Sequence, residues 1–148
     1  MTNQYLSKFQ IIGSSIKKIN IKNDFIILEN DEKLKREIEI AHSISSLDII
    51  DDGNTIYGTI LLNIKVKIAL KKKKYNIDLS IEGGFKAPAE IGEENFRNML
   101  QVNGITSLYS IARGFIQSTT SQTLASGSVM LPMFNVAAYS KDMNKEDE

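Results

Sequence analysis

Few side chains in this chain are of the types that break or make bonds. The single histidine, His42, would have to anchor any Ser-His-Asp triad or imidazole metal site, and it lies in an alternating stretch that reads as a strand face. Cysteine is absent, which excludes disulfides, thiolate nucleophiles and cysteine zinc sites. Asp51-Asp52 could chelate a cation, but with Gly53-Asn54 they form a turn signature and lack the further oxygen ligands at loop spacing that calcium requires. Gly83-Gly84 lacks the strand, Gly-rich turn and helix-opening Lys and Ser/Thr of a phosphate loop. The run from Lys71 to Lys74 could be taken as a nucleic-acid patch; at a hairpin tip it reads instead as a solvated turn that deters edge-to-edge pairing. No catalytic residue, metal ligand or cofactor follows, so the chain is expected not to be an enzyme.

Those residues must be carried by elements that the apolar pattern defines. At 148 residues, with 42% hydrophobic residues and a formal net charge of zero, the chain suits one domain, residues 1–148, with a core of branched aliphatics. Phe9, Ile11, Ile19 and Ile21 recur with strand period, and Gly13-Ser14-Ser15 between them suggests a bulged or bent first strand. Ile38, Ile40, His42 and Ile44 share one face of a second strand. Ile60, Leu62, Ile64, Val66, Ile68 and Leu70 make a third, and Tyr75, Ile77, Leu79 and Ile81 a fourth. The short connection at Lys71 to Lys74 forces an antiparallel hairpin, and Gly83-Gly84-Phe85 is expected to end the sheet.

Helices follow. A short one spans Ile91 to Leu100, with Glu93 and Glu94 at its positive end. A long one begins near Asn103 or Gly104, with Asn103 or Thr106 as possible caps. Its apolar residues Ile105, Leu108, Tyr109, Ala112, Phe115 and Ile116 subtend more than the ~100° that one sheet face can cover. In a single small domain the partner for the surplus is another subunit, so these six residues are the expected subunit interface. The polar run Ser118 to Ser128 then leads to an apolar segment, Val129 to Tyr139, around Pro132. About 9–139 are expected to be ordered and 140–148 to form a polar tail. The fold class is α+β: a four-stranded antiparallel sheet followed by a short and a long helix.

Three stretches resemble the SecB family of protein-export chaperones. Gly83-Gly84-Phe85 follows the fourth strand. Leu108-Tyr109-Ser110-Ile111-Ala112-Arg113 is similar to the family's Leu-Phe-Pro-Tyr-Ala-Arg helix segment, without its proline. Val129-Met130-Leu131-Pro132-Met133-Phe134-Asn135 is similar to its apolar stretch ending in Pro-Val-Asn-Phe, with the last two residue types exchanged. The resemblance runs from about Phe9 to Tyr139, after which the family's second long helix looks cut short. It implies a SecB-like dimer of dimers, a homotetramer, that binds unfolded or nascent polypeptide in apolar grooves. Many members pass secretory precursors to the SecA motor, partly through acidic surface on the sheet.

An adaptable groove needs apolar side chains that stay partly wet. The client-binding candidates are therefore Phe25, Ile26, Ile27, Leu28, Phe85, Met133, Phe134, Val136 and Tyr139. By pattern alone Phe25 to Leu28 reads first as a short buried strand, with an exposed apolar loop as the other reading. The expected function is that of an ATP-independent holding chaperone in export or translocation. An alternative is a SecB-like chaperone dedicated to a toxin–antitoxin pair, with an antitoxin rather than SecA as partner. A small-ligand-binding α+β domain and a purely structural oligomer are the readings from other classes. No stretch approaches the ~18 apolar residues of a membrane span and no secretion signal is evident. A cytoplasmic location is expected, with no membrane insertion and no nucleic-acid partner.

Overall fold

A computed structural model describes residues 7–27, 35–125 and 127–146. Strand β1 (Gln10–Asn23) lies at one edge of a four-stranded sheet, β2 (Lys35–Ile50) at the other, and β3 (Thr55–Leu70) and β4 (Lys73–Pro88) fill the centre in the order β1-β4-β3-β2. Every neighbouring pair is antiparallel. The β2–β3 turn uses Asp51 and Asp52, both at φ 54°, and Gly53 at φ 88°, and the Asn54 amide donates to the Asp51 carbonyl at 3.1 Å. Left-handed backbone at successive positions is what Asp and Gly tolerate. The β3–β4 turn is tighter than the lysine run suggested: Lys73 and Lys74 already belong to β4.

Period-two alternation assigns the faces. On β3 and β4 the inward residues from Ile56 to Ile68 and from Tyr75 to Ala87 are buried. On the edge strands the inward residues are only half covered: Ile38, Ile40 and Ile44 of β2, and Ile16 and Ile21 of β1. The helical layer thus covers the middle of the sheet and leaves both margins open. β1 carries register shifts between Ile11 and Gly13 and between Ile16 and Lys18, as its Gly-Ser-Ser run suggested.

Gly83-Gly84 does not end the sheet. Gly83 pairs with Ile60 and Ser14, and β4 continues to Pro88. The glycines are needed for packing: a Cβ on Gly83 would come within 2.6 Å of Leu108, and one on Gly84 within 3.0 Å of the Tyr57 hydroxyl. Phe85 beyond them is fully buried and stacks on Phe9 with ring centroids 5.0 Å apart.

After a short 3₁₀ turn at Ala89–Ile91, the two expected helices form one continuous helical run. Helix α1 (Glu93–Met99) passes through a π-helical turn, Leu100–Gly104, into α2 (Ile105–Thr123). Gly104 is αR at φ −64°, so no cap is required; Thr106 and Ser107 hydroxyls instead donate back to the carbonyls of Val102 and Asn103. α2 buries Ile105, Leu108, Tyr109, Ala112, Ile116 and Thr120. The chain then turns back over α2, burying Leu124, Val129 and Leu131, and enters α3 (Val136–Glu146). Residues 140–146, expected as a polar tail, are the continuation of that helix.

The return segment is held by side chains of α2. The Tyr109 hydroxyl donates to the Pro132 carbonyl, Arg113 Nε to the Leu131 carbonyl at 2.9 Å, and Thr120 Oγ1 accepts the Val129 amide at 2.8 Å. Burial pushes the Tyr109 phenol above its ordinary value, against the opposing Arg113 charge. Thr120 is fully buried, so Thr120→Val keeps the shape and strands the Val129 amide. It is expected to cost about 1–3 kcal/mol in a urea melt; an unchanged midpoint would show that the bond does not fasten the segment.

Candidate functional site

The six residues expected to form a subunit interface are largely spent inside the chain. Ile105, Leu108, Ala112 and Ile116 are fully buried and Tyr109 is 5% exposed, and only Phe115 remains half-buried. The surplus apolar side of α2 is covered by the chain's own return segment, a long-range contact that local periodicity does not reveal. The side chain α2 does leave out is Ile111, which is 41% exposed.

Of the candidate client-binding residues, three are core. Phe85 and Ile26 are fully buried and Val136 is 5% exposed, so none can meet a ligand while the core is packed. Leu28 lies outside the described residues. Phe25, Ile27 and Met133 are open, and Phe134 and Tyr139 are half-buried.

The open residues form two patches on the helix side. The first is at the β3–β4 turn. Past the end of β1 the chain reaches the turn through two hydrogen bonds between Asp24 and Lys74: the Asp24 amide donates to the Lys74 carbonyl at 3.0 Å, and the Lys74 amide donates to the Asp24 carboxylate at 2.9 Å. Ile26 is driven into the core as an anchor, which sends Phe25 and Ile27 outward, 67% and 46% exposed. They do not form the short buried strand that was one expectation. With Leu70 and Lys71 to Lys73 they line a hollow of about 580 Å³. Phe25 and Lys71 are both left-handed there, at φ 60° and 57°, a conformation that side chains of this size adopt only when neighbours enforce it.

The second patch lies over β2. Tyr109, Phe134, Tyr139 and His42 form a ladder of rings with successive centroids 5.2, 5.4 and 5.3 Å apart. His42 Nδ1 and the Tyr139 hydroxyl are 2.8 Å apart, so His42 helps dock α3 on the sheet. Met130 and Met133 project beside the ladder, 55% and 84% exposed, with Arg113 Nη1 3.4 Å from the Met133 sulfur. His42 pairs with Leu62, whereas the first patch sits at Leu70; the two patches are therefore about 26 Å apart along β3.

Further open apolar residues lie outside the client-binding candidates: Ile11 and Ile19 on β1, and Ile49 on β2. Each faces the helix side by register, opposite Phe85, Leu79 and Ile56. Their alternation was readable, but their place on edge strands was not. Among the described residues no cluster of three or more His, Asp or Glu could hold a metal ion, and no helix is long and apolar enough to cross a membrane.

No protein-family model and no curated protein matches the chain. Among solved structures, a SecB-like chaperone of Mycobacterium tuberculosis, in complex with a peptide from an antitoxin, superposes with a TM-score of 0.67 at 14% identity, covering 86% of this chain and 91% of that one. A Streptococcus agalactiae protein of unknown function aligns over 84% of this chain and 97% of that one, also at 14% identity, with a TM-score of 0.47. The first likeness shows the SecB-like fold: a four-stranded antiparallel sheet followed by a long helix.

Proposed function

We propose that this chain, built on the SecB-like fold, is a holding chaperone that binds non-native polypeptide through apolar contacts and needs neither nucleotide nor bond chemistry. The observation that carries this reading is the apolar surface left open on the helix side, with Phe25 67% and Met133 84% exposed at two well-separated patches. Met and aromatic side chains repack around different sequences at little cost. An extended segment of about eight residues spans the ~26 Å between the patches. The proposed contacts are Phe25, Ile27, Met133, Phe134 and Tyr139. The working form is proposed to be a cytoplasmic homotetramer, with Ile111 and the open residues of β1 available for subunit contacts now that the inner side of α2 is occupied.

Of the two services such a chaperone could perform, protection of an antitoxin has the better support. The M. tuberculosis neighbour was solved with an antitoxin peptide. In the family it resembles, delivery to SecA relies partly on acidic surface of the sheet and the C-terminal region, whereas the open sheet face here is mixed, with Lys22, Lys65 and Lys67 beside Glu37, Glu39 and Asp78.

The test is light scattering from a chemically denatured client diluted into buffer without nucleotide. Suppression of aggregation by a stoichiometric amount of the full chain is expected. No suppression of any of several clients would remove the chaperone reading, and retention of SecA in a pulldown would restore the export service.

A further inference from the structure

Charge is spread very unevenly over a chain whose formal sum is zero. The end of the molecule at the β2–β3 turn carries Asp48, Asp51, Asp52 and Glu90. The opposite end is lysine-rich on the sheet face turned away from the helices. There two adjoining basins of about 310 and 200 Å³ share Lys67 and Asn76. Lys35 and Lys74 line one, and Lys22 and Lys65 the other.

The carboxylates on this face are mostly committed. Asp78 accepts from Asn63 Nδ2 at 2.9 Å and from Lys18 Nζ at 3.2 Å. Those bonds, with Lys18 and Lys65 nearby, hold it below the usual carboxylate range despite partial desolvation. Glu39 lies 3.7 Å from Lys67. Lys22, Lys35, Lys65 and Lys74 have no ion pair among the described residues, and like charges this close raise the local potential for an incoming anion.

We propose that this trough docks an extended acidic segment of a partner polypeptide, on the face opposite the proposed client surface. Lys65 and Lys67 are alternate residues of one strand, about 6.8 Å apart, which is also the repeat of same-side residues in an extended peptide. Acidic residues at alternate positions would meet both lysines while the intervening backbone lies over Asn76 and the flat sheet. A nucleic-acid strand fits less well. Among the described residues the basins hold no aromatic side chain on which a base could stack, and Glu37 and Asp78 interrupt the positive surface that a continuous phosphate chain would follow.

The test is fluorescence anisotropy of a labelled alternating Glu-Ser peptide of about twelve residues with the full-length protein. Saturable binding is expected at low salt, weakening as added salt shortens the screening length. The variant Lys65→Gln/Lys67→Gln should bind about five- to tenfold more weakly with an unchanged melting temperature. Lys86→Gln, on the same face at the acidic end, should bind like the unaltered protein. Should the first variant unfold, Lys22→Gln/Lys74→Gln carries the same expectation. Absent binding, or equal binding by the trough variants, overturns the proposal. So does tighter binding of a single-stranded oligonucleotide or of anionic vesicles than of the peptide. Salt-sensitive self-association that the same substitutions abolish also overturns it, by assigning the trough to a second copy.

Discussion

Phe85→Ala is expected to lower stability by about 3–5 kcal/mol, and the melting temperature by about 10 °C or more for a chain of this length. Phe85 has no exposed surface, stacks on Phe9 at 5.0 Å, and reaches the wall of Gly104, where an added Cβ would lie 3.5 Å from its ring. Phe9 in turn meets Phe96 at 5.7 Å, so removing the Phe85 ring undercuts a three-ring cluster that ties the segment just before β1 to β4 and α1. A cavity bounded by strand backbone on one side and helix on the other closes poorly, which places the cost toward the upper end. Thermal denaturation by circular dichroism reads the effect. The protein that remains folded at low temperature should hold clients as before, because Phe85 does not face them. A normal melt with lost client holding would return Phe85 to the binding surface.

The second large effect is functional. Phe25→Asp and Met133→Asp each remove an open apolar contact and set a charge in its place. Burial of such a side chain against a client contributes about 1.5–3 kcal/mol, so each variant should hold clients at least about tenfold more weakly. The patches lie about 26 Å apart and share no contacts, so the double variant should show the sum of the two free-energy losses. Folding should be nearly untouched. At position 25 it should improve slightly, since Asp tolerates a φ of 60° better than Phe does. Chemical denaturation separates the two quantities. Undiminished suppression of aggregation in both variants would take these patches out of the proposed function.

The physical signals in the sequence differ in reach. Alternation from Ile60 to Leu70 and from Tyr75 to Ile81 identified two central strands and their inward faces, because a side chain's face is set by residue parity alone. The same rule placed His42 inward with Ile38, Ile40 and Ile44, and register shows it opposite Leu62. What it meets there, the Tyr139 hydroxyl on α3, depends on a helix that the polar residues after Tyr139 concealed. Gly83-Gly84 looked like a strand end because glycine is so often used that way; its actual reason is the close approach of Leu108 and Tyr57, which is invisible without the helix in place. In the cluster from Phe25 to Leu28, one anchor and its exposed flanks cannot be told apart by composition, and Ile26 differs from Ile27 only in which way the backbone turns.

The sequence by itself determined the antiparallel sheet, the faces of its strands, the helical character that follows, and the poverty of groups for bond chemistry. These rest on local periodicity and on which atoms are present. Only the tertiary structure decided that β1 and β2 are the edges, that the second apolar side of α2 is closed by the chain's own Leu124, Val129, Leu131 and Val136, and that the lysines of four strands converge on one end of the sheet. Each is a matter of which distant segments become neighbours. A pattern of period two or 3.6 states which way a side chain points and is silent about what arrives to cover it.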